Sequence, residues 1–173
     1  MIFLRHPRPD APIGMCYGRT DLDIGPEGAA EIARALEATA PVARVIASPA
    51  LRCRRLAEGL AARDGVALHF EPRLWELDFG DWEGVPWAEI GRTTSDRWAI
   101  DPWRIAPPGG ETFAAVHARV GEVLAEAPPG TALVCHAGPI RVARMILTGA
   151  GFAAVFAEKV PYATPIRFVR EAV

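Results

Sequence analysis

The sequence predicts an α/β fold, and three observations lead there. Short apolar runs alternate with stretches whose apolar residues recur every three to four positions. Three of those helical stretches open beside a proline, and two of the apolar runs end on a histidine. No repeat, low-complexity tract or linker breaks the alternation, and 173 residues suit one domain burying roughly 70% of its unfolded surface.

The elements follow in order. Strands are expected over residues 1–5, 43–47, 66–70, 131–135 and 165–169. A first helix over 26–38 puts Ala29, Ile32, Ala33 and Leu36 on one face, and a second over 49–63 does the same with Cys53, Leu56, Ala57 and Leu60. A third over 112–126 uses Phe113, Val116, Val120 and Val123, and a fourth over 139–148 uses Ile140, Ala143 and Leu147. Pro26, Pro49 and Pro139 fall at the expected first helical position, where the missing amide costs no hydrogen bond, and Ser48 suits the N-cap before Pro49. Residues 75–111 differ: they hold all five tryptophans and little long periodicity, and are expected to form a small, partly helical cap insertion. Its rings either make a satellite core or line a substrate pocket.

Composition narrows the function classes. The chain is 50% hydrophobic and 23% charged, and its formal net charge of −2 gives no general attraction to nucleic acid or to an anionic membrane. Lys159 is the only lysine among many arginines, so meaning is taken only from arginines with a definite place. Cys16, Cys53 and Cys135 are odd in number and widely spaced, which implies reduced thiols and no thiolate metal cage. The opening Met1-Ile2-Phe3-Leu4 runs straight into Arg5-His6 and does not read as a signal peptide, and no stretch has the roughly 20 apolar residues of a membrane span. The expected location is the cytoplasm.

The chemistry gathers at strand exits. In open α/β sheets, ligands sit beyond the carboxyl ends of strands, where helix N-termini favour anions. His6, Ser48-Pro49 and His136-Ala137-Gly138-Pro139 all fall at such exits, predicting one anion site. His6 is the candidate nucleophile: its attack on phosphorus splits a difficult displacement into two easier ones, provided the other ring nitrogen is held by an acceptor. Pro7 stiffens its exit from the strand. Arg5 and Arg52 are candidate phosphate clamps, since a guanidinium fork matches phosphate oxygens and keeps its charge. His136 is placed to donate to a phosphate oxygen. A carboxyl acid and base is needed as well, and Glu76, Asp78, Asp81 and Glu83 compete for that role. His69 and His117 lie in a strand and a helix pattern and look structural, and no spacing among the four histidines suggests zinc.

Taken together, Leu4-Arg5-His6, Ser48-Pro49-Ala50-Leu51-Arg52-Cys53, the run from Leu74 to Gly84, Gly110-Glu111-Thr112 and Cys135-His136-Ala137-Gly138 resemble the histidine phosphatase superfamily, which includes cofactor-dependent phosphoglycerate mutase. The order and spacing match over nearly the whole chain. The resemblance implies a three-layer α/β/α sandwich around a mixed, mostly parallel sheet, and a phosphohistidine mechanism needing neither metal nor cofactor. It maps the nucleophile onto His6, the clamps onto Arg5 and Arg52, a further phosphate ligand onto His136 and the acid/base onto Glu76. Cys16-Tyr17-Gly18-Arg19-Thr20-Asp21-Leu22 is similar to the alpha-ribazole phosphatase branch of cobalamin biosynthesis, and adds Arg19 to the substrate-binding residues. This chain departs from the family at Pro7 and Pro9, where glycine and threonine are usual, and has no asparagine or glutamine. The expected function is hydrolysis of a small phosphorylated metabolite, with alpha-ribazole 5′-phosphate the leading substrate. The rivals are a phosphohistidine protein phosphatase, a mutase and a catalytically idle phosphate-binding module.

Overall fold

Side chains along the first strand, β1 (Ile2–Arg5), alternate between two cores: Ile2 and Leu4 pack on one side of the sheet and Phe3 on the other. The computed structural model describes residues 1–168. Besides β1, the sheet contains β2 (Arg44–Ala47), β3 (Leu68–Phe70), β4 (Thr131–Cys135) and β5 (Pro165–Ile166), in the order β3-β2-β4-β1-β5. All neighbours are parallel except β5, which runs antiparallel to β1 at the edge. The expected strand over 165–169 is therefore short, and its last residue, Val169, lies outside the described residues.

Helices cover both faces, giving the α/β/α layering. On one face α1 (Gly28–Ala38) and α2 (Leu51–Asp64) pack over Leu4, Val45, Ala132 and Val134. On the other, α4 (Phe113–Glu126), α5 (Ala137–Thr148) and α6 (Phe152–Ala157) pack over Phe3, Leu133 and Cys135, while α3 (Arg92–Ile100) lies in the tryptophan-rich segment. The expected inner face of α2 is buried throughout, with Cys53, Leu56, Ala57 and Leu60 all at 0% exposure. That of α1 is rotated: Ala29 and Ala33 are exposed, and Gly28, Ile32, Ala35 and Leu36 face inward. Alanine methyls are too small to orient a helix against the larger Ile32 and Leu36.

The proline starts also shift. Pro26 and Pro49 stand just before the N-caps Glu27 and Ala50, so Ser48 is not the cap, whereas α5 begins two residues before Pro139 with His136 at its N-cap. Proline is still tolerated there, because the third helical amide has no partner inside the helix either. Between β3 and α4 the chain makes 3₁₀ turns at Pro72–Leu74 and Gly80–Trp82 before α3. The satellite core is present: Trp82 packs there with Cys16 and Ile90, while Trp75 lies 6.0 Å from the His136 ring, nearly parallel to it.

Candidate active site

Register alone brings the two histidines together. Arg5 pairs with Cys135 across β1 and β4, so the next residues, His6 and His136, leave the sheet side by side with ring centroids 5.1 Å apart. On the other side of β4, Ala47 pairs with Val134, and the following Ser48 meets the His136 ring. Three parallel strands thus deliver their next residues to one place, and His6 and His136 are both almost fully buried.

Partners settle the proton on each ring. Pro7 O can only accept, so His6 Nδ1 donates to it, at 2.7 Å, and Nε2 carries the lone pair. Pro7 lacks an amide but keeps this carbonyl, so the departure from the usual glycine leaves the ring's anchor intact. Burial, with Arg52 and Arg5 adding positive charge, pushes the His6 pKa well below its ordinary 6.5, against the pull of the Pro7 hydrogen bond. On His136, Arg52 Nε donates to Nδ1 at 3.3 Å, so Nε2 holds the proton and donates to Ser48 Oγ at 2.8 Å. Burial, then Arg52 and His6, lower this pKa too. Both His136 nitrogens are thus engaged by the protein.

Arg52 has no exposed surface. Its Nη1 and Nη2 donate to Thr20 O at 2.8 Å and Gly18 O at 2.6 Å, fastening the 18–20 loop. Three of its five N–H groups are thereby used, leaving two for an anion. Arg5 donates to Val160 O at 2.9 Å and lies 3.8 Å from the centre of the Tyr162 ring, while its buried Nε has no partner. The two helix ends expected to hold an anion already hold one. Asp21 accepts from the Leu51 amide of α2 at 2.8 Å, and Glu76 from the Gly138 amide of α5 at 3.0 Å. Carboxylates of the chain compete for the same free amides and dipole as a ligand would.

That contact also separates the four competing carboxyls. Glu76 takes bonds from the Gly138 and Leu77 amides, and a Cβ on Gly138 would come within 2.2 Å of its Oε1, so only glycine admits it there. Glu83 is committed elsewhere: it accepts from the amides of Gly18, Arg19, Thr20 and Phe79 and from the Thr20 hydroxyl. Burial works against its charge, but these bonds outweigh it and hold its pKa below the usual range. Asp78 caps the Gly80 amide at 2.8 Å, and Asp81 sits against the turn at Gly109. Arg19 lies at the rim, its guanidinium carbon 5.7 Å from the centre of the Trp75 ring and Nη2 3.5 Å from Glu111.

The profile of the histidine phosphatase superfamily (branch 1) matches residues 1–171. The chain belongs to that superfamily. Among solved structures, mycobacterial glucosyl-3-phosphoglycerate phosphatase is 26% identical with a TM-score of 0.77, over 90% of this chain and 82% of that one. The alpha-ribazole phosphatase of Shigella flexneri has a TM-score of 0.82 over 94% of this chain and 86% of that one; at 20% identity this is a likeness of fold. A bifunctional protein of Mycobacterium tuberculosis is 32% identical over 118 residues, which are 64% of this chain and 32% of that protein. The chain thus spans about a third of the length of the curated relatives it matches.

Within this member of the histidine phosphatase superfamily, several residues at the site had no mark in the sequence. Arg119 of α4 donates to Arg73 O, Trp75 O and Glu76 O and pairs with Glu111 at 2.9 Å, fixing the backbone that carries Glu76. Tyr162 stands 5.6 Å from His6, and its hydroxyl lies 3.3 Å from that of Tyr17, whose ring faces Arg52. The next residue, Ala163, has φ of +44°, a strained value for a side chain, and its amide donates to Arg5 O at 3.0 Å. None of these had a local signal. An arginine on an amphipathic helix and a tyrosine ahead of a short edge strand look ordinary until the chain folds.

Proposed function

We propose that this protein is a phosphatase that hydrolyses a small phosphorylated metabolite through a phosphohistidine on His6, without a metal ion. The observation that carries the reading is the His6 ring itself: Nδ1 tied to Pro7 O, Nε2 left with its lone pair, and burial, with the charge of Arg52 and Arg5, keeping it neutral. A nitrogen in that state attacks phosphorus with no prior loss of a proton. The Nε2–phosphorus bond forms as the ester P–O bond breaks, and Glu76 in its acid form gives its proton to the departing oxygen. Water then attacks phosphorus, the N–P bond breaks, and Glu76 takes the proton back. Arg5 and Arg52 offset the phosphoryl charge, each worth about 4 kcal/mol at 4 Å and an effective dielectric near 20, before desolvation.

His6 is only 1% exposed, which favours a small substrate over a phosphohistidine on another folded protein. A candidate acid retained at the Gly138 amide, two residues after His136, together with an intact His6, argues against an idle binding module. Alpha-ribazole 5′-phosphate is the first substrate to test, on the strength of the Cys16–Leu22 motif and the likeness of fold, and glucosyl-3-phosphoglycerate is the second. The three thiols are free and buried, in keeping with action in the cytoplasm.

Rapid quench during turnover of labelled substrate tests the reading. Acid-labile, alkali-stable phosphate should appear on the protein and map to His6. His6→Ala should lower kcat on an aryl phosphate at least about a thousandfold, and a chelator should leave the native protein active. Chelator-sensitive hydrolysis, or full activity in His6→Ala, would overturn it.

A further inference from the structure

Glu76 also lines a cavity of about 230 Å³ whose walls include Phe79, Trp87, Trp98, Phe113 and Phe156. The rings brace one another, with Phe79 and Trp87 edge to face at 5.4 Å and Phe113 and Phe156 likewise at 5.0 Å. Among the described residues, Arg141 is the one cation in the lining and Glu76 the one anion. Arg141 extends from α5 one turn beyond Gly138, donates through Nη2 to Glu158 O at 3.0 Å and lies 4.9 Å from the centre of the Phe156 ring.

Unpartnered polar atoms add a second, independent observation. Among the described residues, four buried side-chain nitrogens or oxygens have no hydrogen-bond partner, and all four are N–H donors. Two belong to the phosphate side, Arg5 Nε and Arg19 Nε; the other two, Trp98 Nε1 and Arg141 Nε, belong to residues of the aromatic cavity. A buried donor left without an acceptor is costly, about 1–3 kcal/mol. Phosphoryl oxygens suit the first pair. The second pair has no accessible surface as the structure stands, so it meets acceptor oxygens on whatever fills the cavity as the Trp98 and Arg141 side chains turn towards them. Glu76 cannot serve as a lasting counter-ion for Arg141, because the proposed cycle passes it through its neutral acid form.

We infer that this cavity receives the leaving group, and that the leaving group is a flat aromatic alcohol or phenol bearing a carboxylate, which Arg141 and Trp98 recognise. The inference rests on the reading of Glu76 as the acid, since the departing oxygen must lie against that carboxyl and the rest of the molecule then enters the space it lines. Aromatic walls favour a planar apolar body through stacking and edge contacts. The cavity is large enough for one ring or a fused pair. Alpha-ribazole supplies a ring without the anion, so its phosphate makes a neutral aromatic arm of the test.

The test compares kcat/KM for 4-carboxyphenyl phosphate, phenyl phosphate, alpha-ribazole 5′-phosphate and glycerol 3-phosphate on the full chain. The carboxylated aryl ester should be favoured over phenyl phosphate at least tenfold, and glycerol 3-phosphate should be the poorest. In Arg141→Met that ratio should fall to near one, with partial recovery in Arg141→Lys; using a ratio removes the intrinsic difference between the two leaving groups. Trp98→Phe keeps the ring, deletes the N–H and should lower the ratio several-fold, which covers the case of a poorly folded Arg141→Met. His6-dependent turnover with a wild-type ratio near one, or a ratio unchanged in the Arg141 and Trp98 variants, would overturn this inference and leave the phosphatase reading standing. Loss of His6 dependence would remove both.

Discussion

On the proposed nucleophile side of the site, β1, β4 and β2 end next to one another, and ladder register alone sets His136 between His6 on one side and Ser48 on the other. On the acid side, Glu76 sits in a segment outside the sheet, placed by Arg119 on its backbone and by the Gly138 amide on its carboxylate. A ladder spreads its positioning over many backbone bonds, so no single side chain decides it. A loop held by a few charge-assisted bonds depends on each of them. The nucleophile should therefore tolerate changes in its surroundings that the acid does not.

The largest effect on that contrast should come from Glu76→Gln. With phenyl phosphate, kcat should fall by about 10²–10⁴-fold, the range for a lost general acid. With 4-nitrophenyl phosphate, whose leaving group needs no proton, a pre-steady-state burst should survive while the later steady rate drops. Equal losses in the burst on both esters would remove Glu76 from the acid role. Gly138→Ala should come next: the added methyl displaces the Glu76 carboxylate, and kcat on phenyl phosphate should fall roughly 10- to 100-fold while the nitrophenyl burst persists. A fully active Gly138→Ala would show that the carboxylate does its work elsewhere.

Arg119→Leu strips donors from three carbonyls and leaves Glu111 without its nearest cation. Denaturant titration should show a loss of about 2–4 kcal/mol, with Arg119→Lys recovering part. Activity lost on phenyl phosphate but not in the nitrophenyl burst would sharpen the division between the two sides.

The mildest effect concerns the nucleophile side and pH. Burial, then positive neighbours, depress the pKa values of both His6 and His136. The unfolded chain, with histidines near 6.5, therefore binds protons that the native state refuses. Stability is fully present above about 6.5 and falls as the pH drops towards the native values, by up to about 1.4 kcal/mol per pH unit for each histidine. Urea titrations between pH 7.5 and 5.5 measure this, and His6→Ala should lessen the slope. A flat profile would mean that the rings are not held neutral.

Much of this division was already legible in the chain. The strand patterns at 1–5, 43–47 and 131–135 each match an observed strand to within one residue, and the residues that follow them, His6, Ser48 and His136, come together at the sheet's carboxyl edge. The proposed acid was only one of four neighbouring carboxyls, because Asp78, Asp81 and Glu83 share its local composition. Family resemblance pointed to Glu76, and the fold gives the physical distinction: Glu76 reaches an amide of α5, while Glu83 is consumed by the 18–20 loop. The helix ends illustrate the opposite case. Their attraction for anions was read from local sequence, but Asp21 and Glu76 come from 30 and 62 residues away to occupy them.

Local pattern in the chain was enough for the layer architecture, the strand exits and the choice of His6 as the proposed nucleophile, because period and chain order act over a few residues at a time. Only the tertiary structure decided which carboxyl faces α5, that Arg119 and Tyr162 belong to the site, and that two unpartnered donors belong to residues of one aromatic cavity. Those facts depend on contacts between distant segments, and a hydrogen bond carries no trace in the local pattern of either partner.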